Sequence, residues 1–110
     1  MKVEFIELKK SKKPYKYVVR LRIDDKEKTV RFGAAGYSDY TKHGDKERKD
    51  RYLARHKVRE NWTRSGVGTR GWWSRWLLWN KTTIQGSLED TLRRFRIRRG
   101  VSPPSKTPPS

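Results

Sequence analysis

The chain has no cysteine, one methionine, two histidines and only twelve acidic residues among 110. Each shortage excludes something. Without cysteine there is neither a disulfide framework nor a thiolate metal site. His43 and His56 therefore have no partners for structural zinc. Asp39, Asp45 and Asp50 are metal ligands by type, but helix capping and ion pairing account for them. No apolar run approaches the ~18 residues that a membrane span needs, and the first residues lack the hydrophobic stretch of a signal peptide. The expectation is a soluble or peripheral chain made in the cytosol, with no cofactor.

What is plentiful is positive charge. Twenty-nine Lys and Arg give a formal net charge of +17. The excess runs through the whole length rather than forming a separate basic arm. A body that repels itself this strongly works beside something acidic: nucleic acid, anionic lipid or an acidic protein.

In "PYKYVVRLRID", Tyr15, Tyr17, Val19, Leu21 and Ile23 alternate with Lys16, Val18, Arg20 and Arg22. That period of two predicts a half-buried strand. "DDKEK" turns the chain and "KTVRFG" repeats the alternation, which predicts an antiparallel hairpin. "KVEFIEL" reads as a third strand. "GAAGYSDYTKHG" has loop composition. "DKERKDRYLARHKVRENW" then reads as a helix capped by Asp45, with Tyr52, His56 and Arg59 on one face and Arg48, Arg51 and Arg55 on another. "TRSGVGTRG" is a flexible joint or a tight turn. In "SLEDTLRRF", Ser87 and Asp90 form a capping box, and Leu88, Leu92 and Phe95 make an apolar stripe. The expected fold class is α+β: a small N-terminal antiparallel sheet of two to three strands, two to three short helices, and an extended C-terminal tail. Residues 1–37 form the strand region, 38–99 the helical Trp/Arg-rich region of the same domain, and 100–110 the Pro/Ser tail. Its prolines cannot continue a helix.

"WWSRWLLWNK" places four of the five tryptophans within residues 72–81. Helical spacing aligns Trp72, Trp76 and Trp79, with Trp73 and Leu77 beside them. Aromatic rings bury the most area per residue, so their first role is core. Five tryptophans exceed what so small a fold easily covers, so a residual exposed patch is expected to serve as an interface. Stacking on nucleic-acid bases is a third reading. The expected anchors are Trp62, Trp72, Trp73, Trp76, Trp79 and Tyr52. The expected basic contact surface is Arg48, Arg51, Arg55, Arg75, Lys81, Arg93, Arg94, Arg98 and Arg99. "GVGTRG" lacks the G-K-[ST] ending of a phosphate loop, and no nucleophile is paired with a base. Neither an enzyme nor a small-molecule substrate is indicated.

Several motifs occur in order: F-G at Phe32–Gly33, S-D-Y-T-x-H at Ser38–His43, D-x-E-R-K-x-R-Y-x-A-R-H at Asp45–His56, and W-S-R-W-L-L-W-N-K at Trp73–Lys81. Together they resemble a family of short basic proteins of nucleocytoplasmic large DNA viruses, over about residues 1–96. The resemblance implies a viral origin and a virion role, and carries over no catalytic residue. Two roles follow. One is a minor capsid protein bridging or cementing the inner face of the shell, with major and minor capsid proteins as partners and the anionic inner membrane nearby. The other is a sequence-independent DNA-binding or packaging protein of the virion, neutralising genomic phosphates. A small folded body with tryptophan anchors favours the shell.

Overall fold

The computed structural model describes residues 1–100. The Pro/Ser tail lies outside the described residues. Three strands open the chain: β1 (Val3–Lys10), β2 (Tyr15–Ile23) and β3 (Lys26–Ala34). They pair antiparallel in the order β3-β2-β1. The β2–β3 turn is tighter than the sequence suggests. Only Asp24 and Asp25 form it, with φ of 50° and 69°, and two such residues match the right-handed twist of the strands. Ile23 pairs directly with Lys26.

Most of the alternation on β2 sorts as expected, since Tyr17, Val19, Leu21 and Ile23 join the core; Tyr15 does not, and Val18 on the opposite face is buried as well. On β1 a bulge between Phe5 and Glu7 shifts the register by one residue. The core set is therefore Val3, Phe5 and Leu8 rather than an unbroken alternation, because an extra residue reverses the side chains that follow it. The outer face carries charge that is largely matched. Arg20 pairs with Glu7 and Glu27, both at 2.8 Å, and Arg22 approaches Glu4 at 3.5 Å.

Four helices follow: α1 (Tyr40–His43), α2 (Lys46–Lys57), α3 (Arg70–Trp73) and α4 (Ile84–Arg94). α1 lies where loop composition predicts none. Asp39 caps it by accepting from the Thr41 N–H, and Gly44 ends it in the left-handed region. Asp45 caps α2 as predicted, accepting from the N–H groups of Glu47 and Arg48. α4 begins earlier than the proposed capping box. Thr83 is its cap, accepting from the Gly86 N–H, and Ser87 lies inside the helix. The Ser87 hydroxyl instead accepts from the Lys81 N–H at 3.0 Å. Leu88 and Leu92 are buried as the stripe requires, and Phe95 packs beside them.

Residues 98–99 belong to the sheet rather than the helical region. β4 (Arg98–Arg99) pairs parallel to β1, making the sheet four-stranded and mixed, in the order β3-β2-β1-β4. Arg96, at φ 53°, turns the chain out of α4, and the Gly100 N–H donates to the Phe5 carbonyl at 2.7 Å. One face of the sheet is covered by α3, the turn after it and α4. Trp73 meets Phe32, while Trp72 and Trp76 each meet Phe95 at 5.0 Å. No helix among the described residues is long and apolar enough to cross a membrane.

Candidate nucleic-acid interface

The tryptophans separate into three groups. Trp72 and Trp73 are fully buried and Trp76 nearly so, whereas Trp62 and Trp79 are half-buried. Trp72, Trp73 and Trp76 serve the core, while Trp79 lines a concavity with Tyr37. The reason is local. α3 runs directly into a π-helical turn, Ser74–Leu78, and the wider turn inserts an extra residue into the helical repeat. Trp72, Trp73, Trp76, Leu77 and Leu78 can then all face inward. Trp79, at the end of the turn, is sent toward α2.

The indole N–H groups explain why these residues are tryptophan. Trp72 donates to the Thr63 carbonyl at 2.8 Å, Trp73 to Val67 at 2.7 Å and Trp76 to Trp62 at 3.1 Å. Three rings in the core thus hold the 62–67 segment by its backbone, so "TRSGVGTRG" is a fixed turn rather than a flexible joint. Arg75 is not on the contact surface either. Its guanidinium lies over the rings of Trp76 (4.1 Å) and Trp62 (5.4 Å) and donates to the Trp79 carbonyl at 2.9 Å. Burial, then the neighbouring Arg94, lowers its pKa. Long aliphatic stems and planar heads let arginine pack on indoles in this way.

Lys81, Arg93 and Arg94 gather around Asp90, whereas Arg98 and Arg99 lie on β4. Arg93 and Arg94 flank Asp90, at 3.6 and 3.2 Å, and Arg94 also lies over Trp76. Asp90 accepts from Asn80 at 2.9 Å. Burial opposes its ionisation, but the hydrogen bonds from Asn80 and Arg94 outweigh that and hold its pKa below the ordinary carboxylate value. Lys81 is exposed at the turn before α4. Arg98 and Arg99 are exposed on β4, with Arg99 over the Phe5 ring.

Arg48, Arg51 and Arg55 behave differently. They fall at three- and four-residue intervals on α2, so they share a face. With Tyr37, Ser38 and Trp79 they line one concavity. Among the described residues no carboxylate lies within ion-pairing distance of any of them. Tyr37, 73% exposed, is one of the few large apolar groups facing solvent. Sequence reasoning missed it because one tyrosine in a loop has no periodicity to mark it.

Tyr52 fixes α2 to the body. It stacks on Trp79 with centroids 4.3 Å apart and planes 6° from parallel, and on His56 at 4.2 Å. Burial raises its phenol pKa well above the ordinary value, with Glu60 adding to the effect. Lys49 donates to the Asn80 carbonyl at 2.7 Å; burial, then Arg75 and Lys81, lowers its pKa. His56 Nδ1 lies 3.0 Å from Glu60 Oε2. His43 accepts from the Asp45 N–H at 2.8 Å and packs against Trp79. Asp39, besides capping α1, accepts from the Lys16 ammonium at 2.6 Å in a pair almost closed to solvent. Spacing along the chain gives no sign of that pair, which joins β2 to the α1 loop.

This arrangement defines a small two-layer α+β protein with a basic concavity beside its first long helix. A model described as a family of unknown function (DUF5754) matches residues 3–56. The chain is similar to that family through the three N-terminal strands, α1 and all but the last residue of α2; the tryptophan segment and α4 lie beyond the match. No curated protein and no solved structure matches the chain.

Proposed function

We propose that this is a non-enzymatic, sequence-independent nucleic-acid-binding protein of a large DNA virus particle, which meets genomic phosphates with the α2 arginines. The observation that carries the reading is the contrast in pairing. Arg20, Arg22, Lys16 and Arg94 each engage a carboxylate, whereas Arg48, Arg51 and Arg55 line a concavity without one. Like charges at these helical intervals repel, at a few tenths of a kcal/mol per pair, ~0.2–0.5. A bound phosphate relieves that repulsion, and planar guanidinium forks suit its oxygens. A shell role has less support, because it called on tryptophan anchors at the surface and the indoles are largely taken up inside the fold.

The test is a titration of the full chain against labelled DNA over a series of salt concentrations. Log affinity should fall linearly with log salt. The triple substitution Arg48→Gln, Arg51→Gln, Arg55→Gln should reduce the slope by about 2–3 and weaken binding to all sequences alike. A normally folded triple variant with unchanged affinity and slope would overturn the assignment. Association of the wild-type chain with empty shells, and none with DNA, would return it to the capsid.

A further inference from the structure

The arginine concavity is one end of a longer groove. It shares Tyr37, Ser38, Arg55 and Trp79 with a second hollow running toward β3. That hollow shares Gly33, Ala34, Tyr52, His56 and Ser74 with an open cleft of about 550 Å³. The cleft in turn shares Tyr15 and Arg70 with a further concavity at Lys28 and Arg31 on β3. Cations therefore stand at both ends: Arg48, Arg51 and Arg55 on α2, and Lys28 and Arg70 at the β3 edge, where Arg70 also donates to the Arg31 carbonyl at 2.8 Å. Among the described residues this second set also lacks a carboxylate within ion-pairing distance.

The cleft between these ends has aromatic walls. Trp79, Tyr52 and His56 form a continuous stack. It ends at His56, whose side chain is 32% exposed and lines the cleft. On the cleft's other lining, Arg70 lies over the Tyr15 ring at 4.6 Å. Glu60 holds the His56 ring through Nδ1. Gly71 makes room for that carboxylate, since a Cβ there would fall 1.3 Å from Glu60 Oε1. Phosphate-binding cations on either side of ring-lined space suit a single strand whose bases are unstacked, because every base has a face to stack. A duplex keeps its base faces stacked inside the helix, so it offers phosphates and groove edges but no free face.

We infer that this groove binds single-stranded nucleic acid, with one base entering the cleft to extend the Trp79–Tyr52–His56 stack. The inference rests on the nucleic-acid reading above and narrows it to a strand class. The contact rings are thus tyrosines and a histidine, while most of the indoles serve the core.

The experiment measures anisotropy of the full chain with three labelled probes of equal charge: a short oligothymidylate, the same backbone with abasic residues, and a matched duplex. A stacked base should make oligothymidylate bind about 5- to 150-fold tighter than the abasic strand. His56→Ala should abolish that preference, and His56→Phe should retain it. Gly71→Ala collides only with the end of a flexible side chain, so it should fold normally yet weaken the preference by loosening His56. Equal binding of oligothymidylate and abasic strand overturns the base-binding cleft, and the phosphate-binding function then survives if the arginine triple variant still weakens all three probes. No salt-sensitive binding to any probe overturns both.

Discussion

Trp73 shows how much one side chain can do in a chain with so little apolar material. It fills the space beneath Phe32, packs edge-on to Trp72, and holds the Val67 carbonyl with its N–H. Trp73→Phe keeps much of the packing but leaves that buried carbonyl without its donor. The expected loss is about 1–3 kcal/mol of unfolding free energy, read from urea denaturation. Trp76→Ala should cost ~3–5 kcal/mol, since it opens a cavity against Phe95 as well as removing a donor. Normal stability in that variant would contradict a core role. Gly33 is a second position that tolerates no change. Its φ is 77°, and a Cβ would lie 2.7 Å from the Leu78 side chain. The close approach follows from β3 passing over the π turn, and together with the positive φ it gives the F-G motif a physical cause.

Among the longer helices, α2 is held to the body by few groups. Tyr52 is its only buried residue, and the Lys49 hydrogen bond adds one further tie. Elements with little buried apolar area open first. Tyr52→Ala should therefore release α2 at a cost of about 3 kcal/mol, seen as faster amide exchange across 46–57 while exchange in β2 stays slow. Uniform acceleration across the whole chain would mean that α2 and the sheet open together. α4 is tied more firmly, through Asp90. Because the folded pKa of Asp90 is lowered, its contribution is present above the unfolded carboxylate pKa and is lost as pH falls through the lower folded value. Asp90→Asn should melt below wild type at neutral pH by an amount corresponding to about 1–3 kcal/mol. The two melting curves should converge in acid. A gap that persists at low pH would show that the carboxylate charge is not the cause.

At the scale of the whole molecule, the distribution of charge matters more than its total. On the outer face of the sheet Arg20 and Arg22 meet Glu4, Glu7 and Glu27, while Arg48, Arg51 and Arg55 line the groove without a carboxylate within ion-pairing distance. A net charge of +17 guarantees some attraction to any polyanion, but only an uneven distribution gives it a preferred face. Arg20→Gln should thus disturb the sheet more than it disturbs binding, and Arg51→Gln the reverse. Removing residues 101–110 should leave stability near wild type, because the Gly100–Phe5 hydrogen bond already closes the last strand pair.

Periodicity and capping are local, and what depends on them was legible in the residues themselves. The β2–β3 hairpin, the Asp45 cap, the Leu88–Leu92–Phe95 stripe and the α+β class follow from side chains two to four positions apart. The shared face of Arg48, Arg51 and Arg55 follows in the same way. Tertiary structure decided the rest. The π turn that buries Trp72, Trp73 and Trp76 together depends on the sheet beneath them, since only packing offsets its altered hydrogen-bonding pattern. β4 exists because β1 has an open edge. Lys16 meets Asp39, Arg70 meets Tyr15, and His56 completes a stack begun by Trp79 because distant segments close on one another. Which cations stay unpaired was equally a matter of folding, for pairing depends on where each carboxylate comes to lie, and no spacing along the chain records that.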